Sequence, residues 1–338
     1  MANFVNGRVT SSMMSSRYLS GMNKNLNNLQ KINNQLTTGK EISRPSDNPY
    51  KVARTMQLNT DINTNTQYNE NIKDTTNWLD TTDTALGQVT SVVQRIRTLM
   101  VSAGNAAYGS SEKSSIADEV NERVSELSQI LNTNFDGKYI FGGTKVASKP
   151  TAIEVDASGN KIKFAKADGS AIANIDDTTD VEVVKLKNIL SSDMNTEISQ
   201  GVKMAYNVTA MDILKFDSNG DGSTDVDMLG LLGDISKNLV SANPTESAKV
   251  TNENLADMDK VITNLLKIRS EVGAKQNRME SAQTQNEDQN YNMTDILSKT
   301  EDIDFTEKSI EYSMAQTVYT ASLQVSAQVL PQTLLDYL

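Results

Sequence analysis

The composition of the chain narrows its function before any motif is considered. The chain has 338 residues, a net charge of −11, no cysteine and no histidine. Without cysteine it has no disulfides, thiolate nucleophiles or cysteine-based zinc sites, and without histidine it lacks the commonest general base and metal ligand. An enzyme would have to rely on carboxylates, lysine or tyrosine alone, so we expect a protein that is not an enzyme.

The polar character of the chain indicates its class and excludes two kinds of partner. Hydrophobic residues make up 37% of it and aromatic residues 5%, which suits helix bundles better than one large globular core. The net negative charge, without a basic patch to bind the phosphate backbone, argues against nucleic acid as a partner. No apolar run approaches the ~20 residues that span a bilayer, and the N-terminus lacks the basic and apolar regions of a Sec-type signal peptide. We expect no membrane partner and a different route if the protein is exported.

The first 40 residues form a basic arm. They carry five cationic residues and no acidic one. Their apolar residues recur at steps of three and four, which predicts an amphipathic helix that packs on other helices. The members of this pattern that we expect at a subunit interface are Leu19, Met22, Leu26 and Leu29.

A link rich in turns follows the basic arm. Gly39 can end the first helix, and the prolines at 45 and 49 enforce an extended connection. Asn48 suits the N-cap of the next helix, with Pro49 in its first turn.

A second helix of coiled-coil length is predicted over residues 52–103. Its seam contains Leu79. The residue before it, Trp78, is the only tryptophan of the chain, and we interpret it as a packing anchor between helices. After a break at 104–111, a shorter helix is predicted over about 112–134. Asp136-Gly137 between apolar residues predicts a tight turn into a strand. The seam of the second helix comprises Ile72, Thr75, Leu79, Thr82, Leu86, Val89, Val93, Ile96, Met100 and Ala103.

The composition changes near residue 144, and the helical seam disappears up to about residue 233. Short alternating runs at 151–155, 161–164 and 181–187 replace it, separated by turn signals. We interpret residues 146–240 as an inserted, strand-rich outer domain. Helix is predicted to return around residues 228–240, and Asn243-Pro244 to start the last long helix.

That last long helix contains the most regular pattern in the chain. Residues 258–303 hold more than six heptads, apolar at both ends and polar at Lys275, Asn286 and Gln289. Polar seam positions reduce stability and specify register, so the pattern favours a specific coiled-coil partner. A bundle helix without such a partner is the alternative.

The C-terminal segment complements the N-terminal arm in charge. Residues 301–338 carry six acids and one lysine, and their interface candidates are Leu323, Leu330 and Leu334. The fold class is therefore mostly α, with a long antiparallel coiled-coil or bundle rod built from both ends of the chain. We predict terminal arms at 1–40 and 301–338 that are disordered in the free monomer, a helical-bundle rod at 41–145 and 241–300, and the insertion at 146–240.

Two features could carry chemistry. Asp217, Asn219 and Asp221 match the first half of a calcium loop, but its twelfth position, normally a bidentate Glu, is Met228. Calcium is therefore a candidate metal, with an Asx-turn loop as the alternative. Asp176 and Asp177 form a carboxylate pair in a polar turn, where nothing would raise one pKa for acid catalysis.

Three motifs resemble the flagellin superfamily, in the form found in its hook–filament junction members. They are the segment at residues 35–49 ending in Pro-Ser-Asp-Asn-Pro, the Asn-Phe-Asp-Gly-Lys-Tyr-Ile-Phe-Gly-Gly run at 134–143, and the C-terminal segment from 313 to the Tyr-Leu ending at 338. The resemblance covers about 1–145 and 245–338, and the middle of the chain lies outside it.

The resemblance implies a structural subunit of the bacterial flagellum without a cofactor. It implies a homo-oligomeric ring between a hook-side junction protein and the flagellin filament, with the terminal helices as the assembly interface. It further implies an extracellular location, export by the flagellar type III apparatus, and an export chaperone on the C-terminal arm. Flagellin itself, a secreted coiled-coil effector and a carboxylate enzyme remain the alternatives.

Overall fold

The computed structural model describes residues 11–42, 44–105, 109–156, 159–218, 224–241 and 243–329. The chain divides into two compact units. We call residues 1–64 with 288–338 the terminal unit, and residues 65–287 the central unit. The predicted division into arms, bundle and insertion uses different boundaries and stays a prediction.

Most of the described chain is helical, which confirms the predicted class. The helices are α1 (Ser11–Thr38), α2 (Pro49–Ala103), α3 (Ser110–Leu131), α4 (Val181–Leu190), α5 (Ala210–Leu214), α6 (Met228–Val240), α7 (Pro244–Lys249), α8 (Glu253–Glu301) and α9 (Phe305–Val329). Each strand pairs antiparallel with one neighbour: β1 (Asn134–Phe135) with β2 (Lys138–Tyr139), β3 (Thr151–Asp156) with β4 (Gly159–Phe164), β5 (Asn195–Ser199) with β6 (Val202–Ala205), and β7 (Lys215–Phe216) with β8 (Val226–Asp227).

The predicted signals at the ends of α1 and α2 are confirmed. Gly39 follows α1 with a φ of 73°, a left-handed conformation that glycine adopts without a Cβ clash. The Asn48 side chain accepts a hydrogen bond from the backbone N–H of Lys51 at 3.2 Å, and Pro49 is the first residue of α2. The helix boundaries here follow from local chemistry.

The core of the central unit is built on α2, α3 and α8. All ten predicted seam residues of α2 are buried, and α8 buries its seam from Met258 to Met279, except for the half-buried Lys275, and again at Asn286. Arg97 of α2 pairs with Asp259 of α8 at 2.6 Å, and Arg269 of α8 pairs with Asp83 of α2 at 3.0 Å. Residues early in α8 thus meet residues late in α2, so the two helices are antiparallel.

The polar seam residue Asn286 finds its partners inside the chain. Its side-chain amide donates to the backbone carbonyl of Ile198 in β5 at 2.9 Å, and its backbone carbonyl accepts from the side-chain amide of Asn65 at 2.7 Å. Asn286 is only 1% exposed, so these bonds satisfy groups that water cannot reach. They hold the β5–β6 hairpin against α2 and α8.

The hairpin and glycine motif at residues 134–143 connects the bundle to the insertion. Asp136 and Gly137 have φ values of 50° and 75°, as a two-residue type I′ turn requires. Phe141 is fully buried, and its carbonyl accepts from Ala210 at 2.8 Å. At Gly143, with φ 59°, a Cβ would come within 2.5 Å of the Ile189 carbonyl oxygen. The glycine therefore permits close packing against the end of α4.

Two sequence-based assignments within the central unit are wrong. Residues 181–187 form the start of α4 and not a strand, because the Asp180 side chain caps the helix at Glu182 and only Val183 and Leu190 of the helix are buried. Asn243 and Pro244 start the short helix α7, with Asn243 as its N-cap, and the long helix begins separately at Glu253. At residues 181–187 a local cap had more influence than the alternation of side chains. At Asn243 the cap does start a helix, but a turn at 250–252 separates that helix from α8.

Candidate assembly surface

The two ends of the chain form an antiparallel helix pair within the terminal unit. The backbone N–H of Ile303 donates to Gly39 at 3.1 Å, and at the other end the Tyr18 hydroxyl donates to the Ser322 carbonyl. Lys40 forms an ion pair with Glu301 at 2.6 Å. The basic and acidic segments are brought together, as their charges predict. The order of this pair in the free monomer stays a prediction.

Helix α9 turns its polar and small residues toward α1. Ala315, Tyr319 and Ser322 are half-buried, and Ser326 is 8% exposed. On α1, Met22, Leu26 and Leu29 are half-buried beside the buried Ile32. The apolar side chains of α1 therefore pack inward, whereas those of α9 do not.

Next to the side that meets α1, helix α9 carries a continuous apolar surface that is open to solvent. At about 100° per residue, its members fall within an arc of about 80°. A shallow groove of about 530 Å³ lies along its first part, at Ile310, Met314 and Val318. We call this surface the α9 stripe; it consists of Ile310 (58% exposed), Met314 (57%), Val318 (51%), Ala321 and Val325 (47%).

The stripe differs from the residues chosen from the sequence. Leu323 is 42% exposed and lies on the other side of α9, and Leu19 of α1 is 41% exposed. Leu330 and Leu334 lie outside the described residues. The spacing of Ile310, Met314 and Val318 at steps of four contains the signal for the stripe. The leucines of the same segment form a second apolar pattern in the sequence. Only the position of α1 distinguishes the two sets of residues.

A basic row follows the outer side of α1. Arg17, Lys24 and Lys31 recur every seven residues, and all three are exposed. At the start of α9, Asp302, Asp304 and Glu307 are exposed as well. One copy of this helix pair thus offers a basic row and an acidic cluster that a second copy could complement.

The candidate calcium loop lies mostly outside the described residues, which include Asp217 but not Asn219 or Asp221. Next to it, Asp225 accepts hydrogen bonds from the hydroxyl and the backbone N–H of Ser218, at 2.5 and 2.6 Å, and these bonds lower the pKa of the Asp225 carboxyl. Within the described ranges no group of three acidic side chains is arranged to hold a metal ion. Calcium binding stays an untested prediction.

The carboxylate pair in the insertion does not suit acid catalysis. Hydrogen bonds from Lys187 and Lys215 lower the pKa of Asp176, and hydrogen bonds from Thr179 lower the pKa of Asp177. A glycosidase needs one carboxyl with a raised pKa to protonate the leaving group. Both carboxyls are shifted in the other direction, toward the charged form.

Comparison with known proteins identifies the family. The bacterial flagellin N-terminal helical region matches residues 9–146, and the bacterial flagellin C-terminal helical region matches residues 255–338. The part of the chain between these regions contains the insertion. No helix in the described parts of the chain is both long and apolar enough to cross a membrane.

Individual relatives include both flagellins and hook-associated proteins. Flagellar hook-associated protein 3 of Escherichia coli is 22% identical over 93% of this chain and 94% of its own length. The flagellin of Bacillus subtilis is 24% identical over 98% of this chain and 99% of its own. The flagellin of Clostridium tyrobutyricum is 30% identical over 41% of this chain, and the match spans only 37% of that flagellin.

Solved structures show the same fold. Flagellar hook-associated protein 3 from Legionella pneumophila superposes with a TM-score of 0.56 and 14% identity, covering 72% of this chain and 98% of that one. FlgL from Xanthomonas campestris superposes with a TM-score of 0.52 and 13% identity, covering 70% and 98%. The matches to the two flagellin helical regions, together with these relatives, show that the chain belongs to the flagellin superfamily, is of the FlgL type, and is a flagellar structural protein and not an enzyme.

Proposed function

We propose that the protein is the subunit of the hook–filament junction. It forms a ring through its terminal helices, between a hook-side junction protein and the flagellin filament. It reaches this position through the flagellar type III apparatus, with an export chaperone on the C-terminal arm beforehand. The observation that carries the proposal is the exposed α9 stripe in a protein of a family that assembles into flagella.

The exposure of the stripe supports assembly through α9. Four large apolar side chains on one face, each about half exposed, gain about 25 cal/mol per Å² when a neighbour covers them. A second copy is the occupant that fits, because the same helix pair carries the basic row on α1 and the acidic cluster at the start of α9. In a ring, the basic row of one subunit faces the acidic cluster of the next.

Deletion of the gene separates the junction role from the alternative role of filament subunit, which the full-length similarity to the Bacillus flagellin favours. Cells without a junction subunit should keep their hooks, lack filaments and shed flagellin into the medium. Cells without their filament subunit should lack filaments and shed no flagellin. Electron microscopy and an immunoblot of the medium measure both properties, and normal filaments would contradict both roles.

A pair of charge-matched variants tests the stripe. Val318→Asp puts a carboxylate in the middle of the stripe, whereas Gln316→Asp puts one on an exposed polar position of the same helix. In the deletion strain we expect Val318→Asp to give hooks without filaments and Gln316→Asp to restore filaments. The fluorescence of Trp78 confirms that the central unit of each variant is folded. Normal filaments with Val318→Asp would show that the stripe is not an assembly surface.

A further inference from the structure

In the described chain, the exposed methionines and the buried methionines lie in different units. Met13, Met14, Met56 and Met314 are 47 to 62% exposed, and all four belong to the terminal unit. The methionines that are buried, at 8% exposure or less, all belong to the central unit: Met100, Met204, Met211, Met228, Met258 and Met279. Peroxide in the surrounding solution can reach the four exposed thioethers of the terminal unit, and the packed core shields the six buried ones of the central unit.

Met314 has surroundings that the other exposed methionines lack. It lies in the centre of the α9 stripe, with Ile310 one turn before it and Val318 one turn after it, both more than half exposed. One turn further along α1, the exposed Arg17 lies beside both Met13 and Met14. Met56 has the exposed Asn59 and Thr60 on its side of α2. A polar group at Met14 or Met56 would stay in water, whereas one at Met314 would lie where a neighbouring subunit must pack.

We propose that Met314 is an oxidation site through which peroxide prevents a free subunit from assembling. The thioether sulfur attacks one oxygen of the peroxide, the O–O bond breaks, and the products are methionine sulfoxide and water. Sulfur loses two electrons and the peroxide gains them. The inference rests on the proposed junction role of the α9 stripe.

Oxidation of Met314 should affect free subunits and not assembled ones. Sulfoxide is polar and a strong hydrogen-bond acceptor, so covering it with apolar side chains leaves that acceptor unpaired. We expect oxidation to reduce incorporation by about tenfold or more, because an unpaired buried polar group has that effect on an equilibrium. Once a subunit is assembled, its neighbour covers Met314 and protects it.

The test uses the full-length chain and isolated hook–basal bodies from the deletion strain. The protein is treated with dilute hydrogen peroxide, the peroxide is removed, and addition to hooks is measured by electron microscopy and sedimentation. Peroxide should reduce addition by wild type and by Met56→Leu about tenfold, each relative to its own untreated protein. It should not reduce addition by Met314→Leu relative to untreated Met314→Leu. Met314→Gln, which carries a neutral polar group of similar length, should add poorly without peroxide, and Met56→Gln should add normally.

A measurement without variants covers the case in which Met314→Leu itself assembles poorly. After partial oxidation of the wild type, the bound and unbound fractions are separated and digested, and sulfoxide is quantified by mass spectrometry. Sulfoxide at Met314 should be enriched about tenfold in the unbound fraction, and sulfoxide at Met56 should be equal in both.

Two results would overturn the inference. One is equal peroxide sensitivity of Met314→Leu and Met56→Leu, and the other is equal Met314 sulfoxide in bound and unbound protein. Failure of the untreated wild type to add to hooks would be a different result, because it would contradict the junction role on which the inference rests.

Discussion

The central unit buries most of its large apolar side chains, whereas the terminal unit leaves many of them exposed to solvent. In the central unit, Leu79, Phe141 and Met258 are fully buried within one continuous core. Among the described residues of the terminal unit, only Ile32 and Leu58 are buried apolar side chains, while the α9 stripe is open to solvent. The central unit satisfies its hydrophobic pattern within one chain, and the terminal unit keeps part of its pattern available for another.

Helix α8 shows this difference within a single helix. Its seam is buried at Val261, Leu265 and Val272, and for the last time at Asn286. Beyond that point Gln289 and Ile296 are exposed, although the heptad spacing continues. A regular seam therefore establishes that a helix can pack, but not whether its partner belongs to the same chain.

The largest effect on stability is expected for Phe141→Ala in the central unit. Removing this fully buried ring should lower the free energy of unfolding by about 3–5 kcal/mol. The matched change in the terminal unit, Phe305→Ala, removes a ring that is 58% exposed and should alter it by less than about 0.5 kcal/mol. Urea unfolding followed by Trp78 fluorescence and circular dichroism measures both. Equal losses would mean that the two units do not differ as described.

A smaller effect is expected for Asn286→Ala, which removes the link between α8 and the β5–β6 hairpin. The Ile198 carbonyl would lose its donor, and we expect a loss of about 1–3 kcal/mol. Asn277→Ala, at an exposed position of the same helix, should cost less than about 0.5 kcal/mol. The same unfolding measurement compares them. An effect of Asn286→Ala as small as that of the control would show that the buried amide does not stabilise the hairpin.

The smallest effect concerns the ion pairs of Asp176 and its dependence on pH. Hydrogen bonds from Lys187 and Lys215 hold the pKa of Asp176 below its ordinary value of 3.8. The stabilisation is therefore present above pH 3.8 and is lost as the pH falls through the lowered pKa of the folded state. Because the Asp176 side chain is 46% exposed, Asp176→Asn should cost no more than about 1 kcal/mol at pH 7.

The decisive measurement is how the destabilisation caused by Asp176→Asn depends on pH. The difference in unfolding free energy between wild type and Asp176→Asn should shrink below pH 3.8 and stay constant above it. A difference that grows on acidification would contradict the assignment. Urea unfolding at neutral pH and at about pH 3 provides the comparison, provided that both proteins are folded at the start.

The accuracy of the sequence-based predictions follows the range of the interactions involved. The Gly39 terminus, the Asn48 cap and the turn at Asp136-Gly137 depend on neighbouring residues, and all three are confirmed. The prediction of a strand at 181–187 is wrong, because the secondary structure of this run depends on the cap at Asp180 and on which two side chains reach the core. The spacing that predicts the interface leucines does not specify which side of α9 faces α1.

The sequence alone determined that the chain is mostly helical, that α2 and α8 carry long seams, and that its ends are opposite in charge. These properties follow from the period of apolar residues, from caps and turns, and from formal charge, all of which are local or additive. Only the tertiary structure decided that Asn286 bonds within the chain, that Asp176 is held by two lysines, and that the apolar side of α9 remains open. Each of these depends on which distant segments meet, and the packing of the whole chain determines that.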